Sequence, residues 1–137
     1  MEKAKSYALK LLAKKDYFES EIRRKLSQKG FSEEEIEETV IYLKNQHLIN
    51  DDKLLERVKE KAIEKGKSST YIKRKLFSKG VSIEISYEEE LKSAMNLLKN
   101  KYIGEKRFYD IVKFLKNRGF SYSVIQEAAN KFLDEEE

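Results

Sequence analysis

The sequence predicts an all-α protein, an elongated tandem array of three three-helix, helix-turn-helix-like modules with the second one truncated. Three observations carry that prediction. None of the 137 residues is proline, so no helix interior meets a residue that lacks an amide donor and clashes with the preceding turn. Apolar residues recur at spacings of three and four, which puts them on one helical face, and no comparable stretch alternates with period two. Gly30, Gly66, Gly80 and Gly119 fall where those stripes stop, as left-handed residues closing a helix do.

The elements follow in chain order. Ala4, Ala8, Leu11 and Leu12 make the first stripe, and Ile22 with Leu26 the second. Asp16 with Glu19 has the pattern of a capping box opening that second helix, and Ser32 with Glu35 opens the third, whose stripe is Ile36, Val40 and Leu43. Asp51 and Asp52, after Asn50, place negative charge at the start of a fourth helix, where it favours the dipole. Leu54, Leu55, Val58 and Ala62 are read as its inward face, and Ile72 and Leu76 as that of a fifth helix. Beyond Gly80, residues 81–85 leave room for a short helical stub before Ser86 and Glu89 cap the next helix, marked by Leu91, Ala94 and Leu98. Phe108, Ile111 and Leu115, then Val124, Ile125, Ala128 and Phe132, mark the last two helices, and Glu135, Glu136 and Glu137 read as a solvated tail.

Aligning the glycines exposes an internal repeat. Residues 22–32, IRRKLSQKGFS, match residues 72–82, IKRKLFSKGVS, at seven of eleven positions, and residues 111–121, IVKFLKNRGFS, match the first copy at five. Each copy is a helix, a glycine stop, a buried Phe or Val, and a serine opening the next helix. The modules are read as 1–49, a basic module at 50–86, and 87–137.

Composition excludes much chemistry. There is no cysteine, hence no disulfide framework, no Cys-based zinc site and no thiol nucleophile. A metal site or a Ser-His-Asp arrangement would rest on the single His47, read instead as a helix-terminal residue whose imidazole meets terminal carbonyls. No phosphate-cradling GxxxxGK[ST] loop occurs. Glu33, Glu34 and Glu35, like Glu88, Glu89 and Glu90, stand in first turns, where they complement the helix dipole. No window approaches the length of uncharged apolar residues that spans a bilayer, and the start MEKAKSYALKLLAKK has no apolar signal core. A soluble, cytoplasmic, non-enzymatic protein without metal or cofactor is expected.

Charge is uneven. The net charge is +4 overall, yet residues 53–79 hold ten basic against three acidic residues, a net of +7. On a helix Arg57, Lys61 and Lys65 share a stripe beside Glu56, Glu60 and Glu64. With Ile72 and Leu76 inward, Lys73, Arg74 and Lys75 point outward, with Lys67 in the preceding turn and Lys79 at the helix end. Arg23, Arg24 and Lys25 make a smaller copy in the first module, and the third has Val112-Lys113-Phe114 there instead. Such a surface suits phosphates or acidic protein loops. Tyr17, Phe18, Phe31, Phe108 and Phe120 are read as core, whereas Tyr71 lies beside the cations, either stacking on a base or packing at a helix start.

The three glycine-centred copies, with Asn50-Asp51-Asp52 opening a basic helix and Lys65-Gly66 preceding Tyr71-Ile72-Lys73-Arg74-Lys75-Leu76, resemble the RecX family of bacterial regulatory proteins over nearly the whole chain. Two regions depart from the family pattern: Lys53-Leu54-Leu55, where Phe is usual, and Lys67-Ser68-Ser69-Thr70, where Pro is usual. The resemblance implies a modulator that inhibits the RecA recombinase. It would bind the RecA–DNA filament as a monomer and restrain its ATPase, strand-exchange and coprotease activities in DNA repair, recombination and the SOS response. It also implies weak electrostatic contact with single- or double-stranded DNA. The alternative is a general nucleic-acid-binding protein of helix-turn-helix-like repeats, against which the acidic run Glu33-Glu34-Glu35-Ile36-Glu37-Glu38 weighs, since phosphates repel it. A helical-repeat adaptor needing neither DNA nor RecA is a third class.

Overall fold

Each apolar stripe resolves into a helix in the computed structural model, which describes residues 2–136. The helices are α1 (Glu2–Lys14), α2 (Glu19–Lys29), α3 (Glu33–Asn45), α4 (Asp51–Glu64), α5 (Ser69–Phe77), α6 (Tyr87–Lys101), α7 (Phe108–Asn117) and α8 (Tyr122–Glu136). No strand occurs among the described residues. Helix 4 and helix 5 form the truncated member of the series, and residues 81–86 contain no helix, so the expected stub is absent. The alternating β-branched residues Ile83 and Ile85 and the cap at Ser86 leave that segment no helical turn of its own. Backbone contacts gather the chain into two compact units, the first reaching Arg57 and including Lys79–Val81, the second comprising Val58–Ser78 and the chain from Ser82 onward.

In the first unit α1, α2 and α3 pack on one another around Ala4, Ala8, Tyr17, Ile22, Leu26, Ile36, Val40, Leu43 and Ile49. The start of α2 differs from the expected box. Phe18, not Asp16, occupies its N-cap; Phe18 N–H donates to the buried Glu21 carboxylate at 2.9 Å, and Glu19 N–H donates to Asp51 Oδ1 at 2.9 Å. Two free amides of the first turn thus find carboxylates, one of them from α4. Helix 3 has the full reciprocal box, Glu35 N–H to Ser32 Oγ at 3.1 Å and Ser32 N–H to Glu35 Oε1 at 3.0 Å. At its other end His47 takes the left-handed conformation, φ 58°. His47 N–H donates to the Lys44 carbonyl and Leu48 N–H to that of Leu43, so its backbone, rather than the imidazole expected for this role, closes the helix. Phe31 is half-buried rather than buried.

In the second unit α6 and α7 pack on α8 around Leu91, Ala94, Leu98, Ile111, Leu115, Phe120, Val124, Ile125, Ala128 and Phe132. Ser86 and Glu89 form the expected box. Glu90 stands in the first turn as expected; it is also buried and accepts from Ser121 N–H at 2.8 Å, tying α6 to the start of α8. Phe108 is exposed, contrary to the core assignment, and Val81 in the first unit is half-buried. Helix 8 runs through the acidic end: Glu135 is helical, with its carboxylate 3.3 Å from Lys99 Nζ; Glu137 lies outside the described residues.

The repeat's leucines are equivalent. Leu26, Leu76 and Leu115 are all 0% exposed. Truncating any of them to Ala removes contacts and leaves a void, so each variant is expected to lose about 2–5 kcal/mol of stability in denaturant melts. A surface Lys→Ala is expected to stay within about 0.5 kcal/mol.

Candidate functional site

The cations concentrate on α4 and α5, and their supports are in the second unit. Helix 4 buries Ile63 rather than the stripe expected from sequence; Leu54, Leu55, Val58 and Ala62 are only half-buried. The end of α4 and the turn after it meet α6: Asn96 Nδ2 donates to the Ile63 carbonyl at 3.0 Å and Ser93 Oγ to that of Lys67. Gly66, φ +76°, packs directly on the backbone of Leu97. Ser68 then caps α5, accepting from Tyr71 N–H at 3.2 Å, and Ile72 and Leu76 are buried. Lys59 Nζ lies 2.6 Å from Glu89 with its side chain only 16% exposed, a structural pair. None of Ser93, Asn96 or Lys59 stood out in the sequence, because clamps between distant helices leave no local pattern.

This framework holds Lys61, Lys65, Lys73, Arg74 and Lys75 exposed. Lys73 Nζ is 3.9 Å from Glu84. Lys67 Nζ sits 4.8 Å from the Tyr71 ring centre, and Tyr71 is 45% exposed. Lys61, Lys65, Arg74 and Lys75 have no ion-pair partner among the described residues.

The candidates in the first unit are engaged differently. Arg23 is half-buried and bonds Glu19 and Glu37, each at 2.8 Å. Lys25 is half-buried over the Tyr17 ring at 5.5 Å. Arg57 bonds Asp16 at 3.0 Å, and half-buried Lys79 lies 4.0 Å from Glu21. Arg24 is exposed. Of the smaller copy expected at residues 23–25, Arg23 is therefore drawn into an ion-pair network, because α2 and α3 bring Glu19, Glu37 and Lys44 around it.

That network is expected to make part of the fold's stability acid-sensitive. The Lys44 ammonium, with Arg23, holds the Glu19 carboxyl below its usual range, and Arg23 does the same to Glu37. A carboxyl depressed in the folded state stabilises it above the unfolded pKa, and that contribution is lost as pH falls through the folded value. The melting temperature is expected to hold from neutral pH to about pH 5 and to fall below about pH 4. Glu19→Gln should lower the plateau and flatten the acid limb; an unchanged profile would contradict the network's role.

Among the exposed side chains without an assignment from sequence is Phe77, 75% exposed at the end of α5. The repeat carried a signal, since Ser27 and Lys116 occupy its place in the other copies.

Residues 4–43 match the family described as RecX, first three-helix domain. The regulatory protein RecX of Clostridioides difficile (strain 630) is 30% identical over 150 residues, covering 98% of this chain and 70% of that one. RecX of Thermotoga petrophila is 31% identical over 164 residues, with 96% and 86% covered. In fold, the crystal structure of RecX from Lactobacillus salivarius superposes with a TM-score of 0.75 at 22% identity, covering 97% of this chain and 96% of that one. No helix among the described residues is long and apolar enough to cross a membrane.

Proposed function

The chain belongs to the RecX family of regulatory proteins, and on that premise we propose that it restrains the RecA recombinase by docking on the RecA–DNA filament through the cations of α4 and α5. The observation that carries this reading is the set Lys61, Lys65, Arg74 and Lys75, exposed on helices whose opposite faces are held by Ile63, Ile72 and Leu76. Cations without internal carboxylate partners leave their field for a polyanion, and steering of this kind speeds encounter with a nucleoprotein filament. Arg57 and Lys79 are secondary candidates, because a competing carboxylate must first be displaced at each. Linking several such contacts in one chain makes later ones intramolecular, so individually weak contacts sum to tight binding.

In this reading the protein is a non-enzymatic, cytoplasmic monomer that needs no cofactor. It acts by restraining the filament's ATPase, strand-exchange and coprotease activities, and its three modules, 1–49, 50–86 and 87–137, serve as binding units. Sequence-specific major-groove reading by the helix after the glycine is disfavoured in the first module, since Glu33, Glu34, Glu37 and Glu38 of α3 are all exposed. Co-sedimentation with RecA filaments on single-stranded DNA tests the reading. Binding is expected at low salt and should weaken steeply as salt rises; failure to co-sediment at low salt would refute it.

A further inference from the structure

Helix 5 carries two departures from the internal repeat, and both put an aromatic ring on its exposed surface. Tyr71 stands where the other copies have Glu21 and Asp110, and Phe77 where they have Ser27 and Lys116. Tyr71 is 45% and Phe77 75% exposed, so neither ring is needed for the core that Ile72 and Leu76 fill. Arg74 lies between them at i+3 and i−3. On a helix these three side chains climb by about 4.5 Å per step, each rotated by about 60° from the last, so ring, guanidinium and ring form one winding stripe. Lys73 and Lys75 flank it, and α5 contains no acidic residue.

We infer that Tyr71, Arg74 and Phe77 are a stacking ladder for unpaired bases, and that this surface takes single-stranded nucleic acid in preference to duplex. Aromatic rings and the planar guanidinium both stack on bases. Bases offer free faces only when unpaired, since a duplex turns them against one another. The flanking lysines supply the phosphate contacts. The inference deepens the filament reading by naming the partner of its cationic face, but its test needs no RecA.

The test is fluorescence anisotropy of the full chain with a labelled oligothymidylate and with a duplex of equal length, across a salt series. The parent is expected to bind the single strand about tenfold more tightly than the duplex. Phe77→Ala and Tyr71→Ala should each weaken single-strand binding by about tenfold, within the range of one lost stack, with the duplex unaffected. The salt slope should not change, because no charge is removed, and Phe77→Trp should retain the preference. Equal losses on both ligands, or no loss on either, would overturn the ladder. If Phe77→Ala binds the single strand normally yet no longer restrains RecA, the ring meets protein instead; the ladder is then wrong and the filament reading stands. If the preference depends on Phe77 but the parent leaves RecA unaffected, the ladder stands and the filament reading falls.

Discussion

Gly66→Val is expected to destabilise the second unit by about 2–5 kcal/mol. Two costs add. At φ +76° the backbone is left-handed, a conformation that costs a residue with a Cβ about 1–2 kcal/mol. A Cβ there would also stand 2.5 Å from Leu97 Cβ and 2.9 Å from Leu97 Cα. The second of those atoms is backbone in the middle of α6, so the helices must separate, and overpacking of this kind costs about 1–3 kcal/mol. A fall of about 6–20 °C in melting temperature follows for a chain of this size. Gly30→Val is the control: its φ is +101°, but nothing lies within 4 Å of the added Cβ, so the strain is expected with little of the clash. Equal losses in the two variants would show that the Gly66–Leu97 approach does not hold α4 on α6. The same substitution should reduce filament binding, because α5 and its cations depend on that anchorage.

Most of the helices were legible because their signals are local. Glycine stops, the boxes at Ser32 and Ser86, and stripes such as Ile36-Val40-Leu43 act within a few residues, and the proline-free chain offers no competing breaks. What escaped depends on distant partners. Glu90 is a first-turn charge, yet tertiary packing also buries it against the amide of Ser121. Arg23 and Arg57 look like outward cations, yet Glu37 and Asp16 come from other parts of the chain. The apolar face of α4, Leu54, Leu55, Val58 and Ala62, stays half-buried because few residues of other helices pack along it, and Ile63 takes the buried place. The candidate site was readable as a charge excess; which cations remain unpaired required the fold.

Replacing Lys61, Lys65, Arg74 and Lys75 together by Ala should leave the fold intact and abolish high-affinity filament association. Each is exposed, and alanine favours helix more than the residue it replaces, so circular dichroism should be native. Each lost phosphate contact flattens the slope of log affinity against log salt by about 0.7–0.9, or about 3 for the four together. Near 0.15 M salt that corresponds to a loss of about 10²–10³-fold. Replacing Arg23 and Lys25 instead should lower stability through the lost pairing with Glu19 and Glu37 and the lost packing on Tyr17. It should spare most of the salt-dependent binding. If the two sets of substitutions prove interchangeable, the distinction between paired and unpaired cations fails.

The central claim, that unpaired cations of α4 and α5 let this chain restrain RecA, is tested most directly by the DNA-dependent ATPase of a cognate RecA on single-stranded DNA. It should be titrated in parallel with the parent protein and the folded four-cation variant. The parent is expected to slow ATP hydrolysis at substoichiometric ratios, and the variant to leave it near the uninhibited rate. Unchanged hydrolysis with a stoichiometric excess of the parent at low salt, or inhibition by the variant at full strength, would contradict it.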